Sequence, residues 1–240
     1  METLGITILL PTLDEAKALR KVVERIPFEQ ITADGWNIRI VVVDGGSTDG
    51  TLELASELNC QIIEQHGGTG KGRGLREAFE NFMRSNDAAL VMMDADGTYR
   101  PEEIPQLLRK LEQEKADIVI GSRMKGWIEE GAMTRRNWVG NHILTWLAVF
   151  LHRTYISDLC TGFWVLNRNS IKQMKLNSIG FEIEAEMYAS AAHNNLEIRE
   201  IPIHYDIRIG RSKLGSIGDG IRIAMKIIRR KFVRTPISEQ

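Results

Sequence analysis

The sequence predicts an α/β fold in which a mostly parallel central sheet is flanked by helices. Short apolar runs alternate with segments of helical periodicity through the first half of the chain, which is typical of βαβ units. Several of these runs end in acidic or glycine-rich turns, where parallel sheets bind their ligands. The 240 residues are sufficient for one large domain of this class.

Each strand of the first half is predicted from an apolar or β-branched run that a polar turn ends. The ranges are 6–10, which Pro11 ends, then 38–43, the weaker run 61–64, 90–93 and 117–121. Apolar side chains three and four residues apart predict the helices between these strands. The helices cover 14–25, 51–58, 75–82 and 101–111, the last with a proline in its first turn.

The second half of the chain is less regular, but the same criteria predict five further elements. They are an apolar helix over 141–151, a strand over 162–166, a helix over 181–192, a strand over 196–201 and a helix rich in Ile and Lys/Arg over 215–233. No internal repeat or Gly/Ser linker separates them. We therefore expect one domain over residues 1–214, followed by a basic amphipathic helix and tail over 215–240.

Charge, cysteine usage and hydropathy restrict the function classes. The 31 basic and 32 acidic residues nearly cancel, so net charge gives no reason to expect nucleic acid as a partner. Cys60 and Cys160 do not form a disulfide framework, which fits a reducing cytosol. We expect no signal peptide, and the longest apolar run, 143–151, is about half of the ~20 residues that span a bilayer. The expected location is cytoplasmic.

The segment Asp94-Ala95-Asp96 follows a buried apolar run and precedes a Gly-Thr turn. Two carboxylates at a strand end provide the hard oxygen ligands that Mg²⁺ or Mn²⁺ prefers, and substrate phosphates often complete such a site. Asp and Gly are also common turn formers, so a purely structural turn is the alternative. A second acidic strand end at Asp44 favours the metal site.

Two glycine-rich segments accompany these strand ends. In the first, residues 44–50, either Asp44 hydrogen-bonds a nucleobase or ribose, or the segment only caps the following helix. The second, residues 67–74, contains Lys71 but lacks the spacing of a P-loop and of a dinucleotide fingerprint. We interpret it as an anion-binding loop beside a diphosphate, with a solvated turn as the alternative.

Basic residues also follow the later strands. Arg123 ends the run 117–121, where an arginine is suited to phosphate recognition or to pairing with a surface acid. Near the C-terminus, Arg208, Ser212 and Lys213 lie around Gly210. Such a cluster favours a phosphate ligand by charge and geometry, with a solvated loop as the alternative.

In this order the motifs resemble family 2 glycosyltransferases, and more narrowly the branch that makes dolichyl- or polyprenyl-phosphate sugars. The resemblance covers about residues 5–214. The matching segments are Pro11-x-x-Asp14-Glu15, residues 44–50, Gly70-Lys71-Gly72, Asp94-Ala95-Asp96-Gly97, Gly121-Ser122-Arg123, Asp158-x-Cys160-x-Gly162-Phe163 and Gly210-x-Ser212-Lys213-Leu214.

The resemblance implies a GT-A fold, a nucleotide-diphosphate sugar donor, a dolichyl or polyprenyl phosphate acceptor and Mg²⁺ or Mn²⁺. The positions matched to the nucleotide sugar are Pro11, Glu15, Asp44, Lys71, Asp94 and Ala95. The positions matched to the metal are Asp94, Asp96 and Thr98. The positions matched to catalysis and the acceptor phosphate are Asp96, Arg123, Arg135, Arg208, Ser212 and Lys213. The implied reaction inverts the anomeric carbon, and the phosphate acceptor requires no general base.

Three departures from the family pattern are visible. Gly45 stands where many relatives have a second Asp, Trp164 stands where they often have Arg or Lys, and residues 97–100 differ from the Gln-His tract of many mannose synthases. The sugar therefore stays open among GlcNAc, glucose and mannose. The alternatives are a soluble-acceptor glycosyltransferase, a sugar-1-phosphate nucleotidyltransferase and a non-catalytic nucleotide-sugar-binding or scaffold protein.

Two apolar segments are candidates for contact with the membrane that holds a lipid acceptor. Ile217, Ile221, Met225 and Ile228 recur at helical spacing beside Arg222, Lys226, Arg229, Arg230 and Lys231. This pattern predicts either an interfacial helix on a membrane surface or a helix that packs on the domain. Trp127, Trp138 and Trp146 with the run 143–151 allow the same two interpretations, of which core packing is the preferred one for that run.

Overall fold

The computed structural model describes residues 3–210 and 217–233. Over these residues the chain forms a seven-stranded sheet in the order β3-β2-β1-β4-β6-β5-β7. The strands are β1 (Leu4–Thr12), β2 (Trp36–Asp44), β3 (Gln61–Glu64), β4 (Ala89–Met93), β5 (Ile118–Ile128), β6 (Phe163–Asn167) and β7 (Ile198–Tyr205). Each of the seven contains or overlaps one predicted strand.

Helices cover both faces of the sheet. They are α1 (Ala16–Glu24), α2 (Phe28–Ala33), α3 (Thr51–Glu57), α4 (Lys71–Arg84), α5 (Ile104–Gln113), α6 (Arg135–His152), α7 (Arg168–Gln173), α8 (Ile183–His193) and α9 (Ile217–Phe232). A single 3₁₀ turn, Pro101–Glu103, precedes α5. None of the helices in the described part of the chain is long and apolar enough to cross a membrane.

The prediction of a mostly parallel sheet is confirmed, with one strand reversed. β3, β2, β1 and β4 run parallel, as β5 and β7 do. β6 lies antiparallel between β4 and β5, with Phe163 opposite Met93 and Trp164 opposite Ile120. A buried apolar run has the same composition in either direction, so the sequence pattern did not show this reversal.

Alternate residues of the strands enter two separate cores. In β1, Ile8 and Leu10 face the core beneath α1, α2 and α5, whereas Leu9 faces the core beneath α4, α6, α8 and α9. This alternation follows from the period of two in an extended strand. Both faces are apolar because helices cover both, as in other parallel α/β sheets. Trp164, which the sequence identified as a departure, is fully buried in the second core.

The predicted helices are found, with shifted boundaries, and two short helices were missed. α2 and α7 have six residues each, too few for an apolar period to be recognised. α6 begins six residues earlier than predicted, at Arg135, because Thr134 caps it: its hydroxyl accepts a 3.2 Å hydrogen bond from the Asn137 amide.

Helix α9 packs on the domain, but not through the predicted apolar stripe. Ile223 and Ile227 are buried against α6 and α8, whereas Ile217, Ile221, Met225 and Ile228 are exposed. Of the two interpretations of this stripe, packing on the domain is therefore wrong. The helix carries apolar residues on two faces, and only one of them contacts the core.

Two of the five basic residues predicted to flank the stripe are turned inward instead. Lys226 Nζ lies 3.5 Å and Arg230 Nε 3.9 Å from Oε1 of Glu186, which is fully buried in α8. The other carboxylate oxygen of Glu186 accepts hydrogen bonds from the amides of Asn177 and Ser178, at 2.9 and 2.7 Å. One buried carboxylate thus joins α8, α9 and the loop that precedes α8.

Replacing Glu186 with Ala should destabilise the protein by about 3–5 kcal/mol, because it leaves two largely buried cations and two amides without their partner. Urea unfolding should show the midpoint falling with the m-value unchanged. The matched control, Glu80→Ala at an exposed position of α4, should change stability by no more than about 0.5 kcal/mol. Equal effects of the two substitutions would contradict the assigned role of Glu186.

Candidate active site

The carboxyl ends of β1, β2, β3 and β4 meet at one edge of the sheet and border a cavity of about 320 Å³, the strand-end cavity. The residues that line it are Pro11, Thr12, Leu13, Glu15, Gly45, Gln65, Thr69, Gly70, Lys71, Asp94, Ala95, Asp96, Gly180, Phe181 and Arg208. Pro11, Glu15, Lys71, Asp94, Ala95, Asp96 and Arg208 were singled out in the sequence. The structure brings these seven together from four separate segments.

Asp96 is held between a hydroxyl and a guanidinium group. Its Oδ1 accepts hydrogen bonds from the Thr98 amide (2.9 Å) and hydroxyl (2.5 Å), which fix the orientation of the carboxylate. Its Oδ2 lies 2.9 Å from Arg208 Nη1, and Arg208 Nη2 lies 2.8 Å from Glu15 Oε1. Burial alone would lower the pKa of Arg208, but the charges of Asp96 and Glu15 more than offset this and raise it. Asp96 Oδ2 is thus a cation-binding oxygen.

Asp94 is paired with a buried lysine. Lys71 Nζ lies 2.6 Å from Asp94 Oδ1 and 2.6 Å from Glu184 Oε1. Burial opposes the charge on Lys71, but the charges of Asp94 and Glu184 more than offset burial and raise the pKa of the ammonium group. Gly162 is also required here, since a Cβ at that position would lie 2.3 Å from Asp94 Oδ2. The carboxylate occupies space that only a glycine leaves free.

The N-terminus of α4 is positioned by the loop before α8. The amides of Gly72 and Arg73 donate 3.1 Å hydrogen bonds to the carbonyls of Gly180 and Ile179. A Cβ at Gly70 would lie 2.4 Å from the Ile179 carbonyl oxygen, and the φ of Gly70 is +146°. Gly70 and Gly72 therefore allow the close approach of the two segments, which places Lys71 in the cavity.

Asp44 and Thr98 do not line either of the cavities described here, in contrast to the roles expected for them. The Asp44 carboxylate is 1% exposed and accepts hydrogen bonds from Thr12, from the Gly46 amide and from the amide and hydroxyl of Ser47. It orders its own loop. Thr98 is 1% exposed and lies behind Asp96. Direct nucleotide contact by Asp44 and metal ligation by Thr98 stay predictions.

A second cavity, of about 470 Å³, opens between α6 and α9 and is called here the helix cavity. It shares Lys71, Asp94, Asp96, Phe181 and Arg208 with the strand-end cavity. Its polar lining includes Tyr99, Arg123, Arg136, Asn137, Asn141, Cys160, Glu184 and Tyr205, and its apolar lining includes Met133, Ile143, Leu144, Ile217, Ile221 and Ile223. The two cavities meet at the carboxylates that end β4.

Arg123 lies in the wall of the helix cavity with its charge already paired. Its Nε and Nη2 donate to the two carboxylate oxygens of Asp158, at 2.8 and 2.7 Å, and its guanidinium lies 5.0 Å from the Tyr205 ring centroid. Burial alone would lower the pKa of Arg123, but Asp158 raises it well above its usual value. Asn141 donates a further 2.9 Å hydrogen bond to Asp158. This arrangement fixes a permanent cation at the cavity wall.

The remaining predicted phosphate ligands are placed less directly. Arg135 is exposed and does not line the helix cavity, which its neighbour Arg136 does. Local sequence patterns do not distinguish between adjacent arginines at the start of a helix. Lys213 and Ser212 lie outside the described residues.

The carboxylates of Asp94 and Asp96 have the chemistry that a divalent cation requires. Among residues 3–210 and 217–233, no three His, Cys, Asp or Glu side chains form a metal-binding group. Asp94 and Asp96 nevertheless present carboxylate oxygens to both cavities, and Arg208 shows that Oδ2 of Asp96 accepts a cationic partner. Hard oxygen donors of this kind suit Mg²⁺ or Mn²⁺, with phosphates as further ligands.

The sequence analysis assigned no role to several residues that line these cavities, among them Gln65, Tyr99, Arg136 and Tyr205. Gln65 directly follows β3, so the rule that directed attention to the other strand ends would also have found it. Nothing in the sequence around Tyr99 or Tyr205 marks either tyrosine as a site residue.

Comparison with known proteins identifies the family. Residues 7–174 match the family described as "Glycosyl transferase family 2". The chain belongs to this family. Family 2 membership agrees with the resemblance predicted from the ordered motifs, and the activity class is glycosyl transfer.

Two curated relatives show how the chain compares with other family 2 members. It is 35% identical to glycosyltransferase AglJ of Haloferax volcanii over 97% of this chain and 74% of the relative. It is 31% identical to the dolichol-phosphate mannosyltransferase of Pyrococcus furiosus over 87% of this chain and 59% of that protein. The chain thus spans less than two thirds of the latter.

A solved structure supports the fold. The glucosyl-3-phosphoglycerate synthase of Mycobacterium tuberculosis, in complex with Mn²⁺, UDP-glucose and phosphoglyceric acid, superposes with a TM-score of 0.71 over 98% of this chain and 81% of that one. The sequence identity is 18%, so the likeness is one of fold alone. It confirms the GT-A fold expected for a family 2 member.

Gly162→Ala should displace the Asp94 carboxylate and lower glycosyl-transfer turnover by about a hundredfold, the scale of an ångström misplacement at a reacting centre. Ser56→Ala, at an exposed position of α3 outside both cavities, is the control and should leave turnover unchanged. Thermal unfolding of both variants separates displacement from misfolding. Full turnover in a folded Gly162→Ala protein would show that the placement of Asp94 is unimportant.

Proposed function

We propose that the protein transfers one sugar, with inversion, from a nucleotide-diphosphate sugar to dolichyl or polyprenyl phosphate. The observation that carries this proposal is the junction of the two cavities at Asp94, Asp96, Lys71 and Arg208. One cavity lies at the strand ends, where α/β sheets bind nucleotides. The other leads from the same carboxylates to exposed apolar side chains, as an acceptor with a phosphate head and a lipid tail requires.

The donor occupies the strand-end cavity in this proposal. Lys71 at the first turn of α4 and Arg208 after β7 supply positive charge near the two aspartates of β4. The diphosphate lies at this end, and the nucleoside extends towards Pro11 and Gly45. The first turn of α4 adds its backbone dipole, which favours an anion.

A divalent cation held by Asp94, Asp96 and the diphosphate would offset the negative charge that develops on the departing nucleoside diphosphate. The residues of the chain supply the remaining functions. Thr98 fixes the Asp96 carboxylate, and Lys71 fixes that of Asp94. Arg208 contacts Asp96 and Glu15 and lies in both cavities, so it is placed to contact a phosphate of either substrate.

The transfer step requires positioning more than acid–base chemistry. An oxygen of the lipid phosphate forms a bond to the anomeric carbon while the bond from that carbon to the diphosphate oxygen breaks, and the electron pair leaves with the nucleoside diphosphate. The attacking oxygen is already largely anionic near neutral pH, so no proton must be removed. Arg123, held rigidly by Asp158, and Arg136 provide the cations that position it.

The lipid tail is assigned to the mouth of the helix cavity. Ile143 of α6 and Ile217 and Ile221 of α9 line this mouth and are exposed. They continue into a wider apolar surface on the same two helices. Its further members are Trp138, Val139, Trp146, Phe150, Met225, Ile228 and Phe232, and we call the whole set the α6/α9 face.

The α6/α9 face is suited to a membrane surface. Trp146 is 66% exposed and stacks on Phe150 with a centroid distance of 5.4 Å, and Phe232 is 80% exposed. Arg222, Arg229 and Lys231 are exposed on α9 beside these apolar side chains. Apolar and basic side chains on one helix favour binding to anionic bilayers. We propose that the protein is peripheral on the cytosolic face of a membrane, where the lipid phosphate is reached.

The reaction is tested by transfer to dolichyl phosphate in detergent with Mg²⁺, using labelled UDP-GlcNAc, UDP-glucose and GDP-mannose. One donor should give a lipid-linked product that EDTA abolishes. Asp96→Asn should lower turnover by at least about a hundredfold, because the charge that holds the cation is lost. Asp34→Asn, at an exposed position paired with Arg109, is the control. Product formed on a soluble acceptor only, with the lipid inactive, would overturn the acceptor assignment.

Membrane binding is tested by flotation with vesicles that contain anionic lipid. Trp146→Gln combined with Ile221→Gln should reduce binding by at least about tenfold, since each wild-type side chain contributes ~1.5–3 kcal/mol when it leaves water. The control is Phe28→Gln, which changes an exposed aromatic residue on α2, outside the α6/α9 face. Unchanged flotation of the double variant would contradict the proposal.

A further inference from the structure

Gln65 has a polar side chain that points inward, and no contact within the described residues explains this orientation. It follows β3 directly and lines the strand-end cavity, and its Oε1 atom is buried without a hydrogen-bond partner among the described residues. Buried amide oxygens are nearly always hydrogen-bonded, because an unsatisfied one has lost its hydrogen bonds to water without replacing them. An exposed conformation would avoid that cost, so the inward orientation requires an explanation.

Gly74 makes room for the Gln65 amide. A Cβ at Gly74 would lie 2.2 Å from Nε2 of Gln65, so only a glycine at this position of α4 lets the side chain lie where it does. At Gly45 an added Cβ would lie 3.5 Å from the same atom, an ordinary contact distance, so the amide does not require a glycine there. Glycine is less favourable than alanine within a helix, because it loses more backbone freedom there. Space for the amide accounts for Gly74.

The position of Gln65 within the cavity indicates what it contacts. The sheet order β3-β2-β1-β4 places the end of β3 three strands from the Asp94–Asp96 end of β4, roughly 14 Å at the usual strand spacing. Lys71, Arg208 and the two aspartates form the charged end of the cavity. The end near Gln65 is lined instead by neutral side chains and backbone, among them Leu13 and Gly45.

We propose that Gln65 reads the nucleobase of the donor, a proposal that rests on the proposed function. Its amide carries one donor and one acceptor side by side, whichever way it is turned, and so pairs with a base edge that presents an N–H beside an acceptor. The N3–H and O4 of uracil are such an edge, as are the N1–H and O6 of guanine. Gln65 thereby takes the base-recognition role that the sequence suggested for Asp44.

The test measures calorimetrically the binding of UDP, GDP and inorganic pyrophosphate in the presence of Mg²⁺. Gln65→Ala should weaken the nucleoside diphosphate that the wild type prefers by about tenfold, the value of one lost pair of hydrogen bonds, and leave pyrophosphate unchanged. Gly74→Ala should produce a similar loss by displacing the amide. Glu64→Ala, at the exposed neighbouring position, should change neither.

A charge-altering variant tests the recognition itself. Gln65→Glu presents two acceptors, which repel the O4 carbonyl of uracil but match the N1–H and N2–H of guanine, so UDP affinity should fall by a larger factor than GDP affinity. Equal losses for nucleotide and pyrophosphate, or none in Gln65→Ala, would overturn the base-reading role alone. Wild-type protein that is folded but binds no nucleoside diphosphate would overturn the proposed function as well.

Discussion

The arrangement of both cavities depends on Lys71. Its ammonium group lies 2.6 Å from oxygens of Asp94 and Glu184, and it joins the end of β4, the first turn of α4 and the start of α8. A lysine buried to this extent requires compensating charge, and the two carboxylates require the lysine for the same reason. The three groups are therefore stable only together. Because both cavities share Lys71 and Asp94, the two cavities meet at a fixed point.

The reversed strand β6 explains how a later segment enters the same point. Because β6 is antiparallel, its first residue, Phe163, lies opposite Met93 at the end of β4. The residues before β6 therefore reach the edge of the sheet where the parallel strands end. Gly162 leaves space for the Asp94 carboxylate there, and Asp158 holds Arg123 in the wall of the helix cavity. A parallel strand would have placed these residues at the opposite edge.

Most of the fold and several of the site residues could be inferred from local patterns. The positions of the seven strands followed from apolar runs and turn residues, and the acids of the strand ends followed with them. The partners of the charged residues did not follow. Asp158 is 35 residues from Arg123, and Glu186 is 40 residues from Lys226, distances at which the sequence gives no pairing signal. Which of Arg135 and Arg136 lines the helix cavity depends on the exact start of α6. The Thr134 cap sets that start.

The sequence by itself determined the α/β class, the family and the strand-end position of Asp94 and Asp96, because periodicity and turn chemistry are properties of neighbouring residues. Tertiary structure decided which apolar face of α6 and α9 is exposed. Both helices carry apolar side chains on more than one face, so periodicity cannot identify the buried one, and only packing against α8 and the sheet does. It also decided that Lys226 and Arg230 point inward, since their counter-charge, Glu186, belongs to another helix.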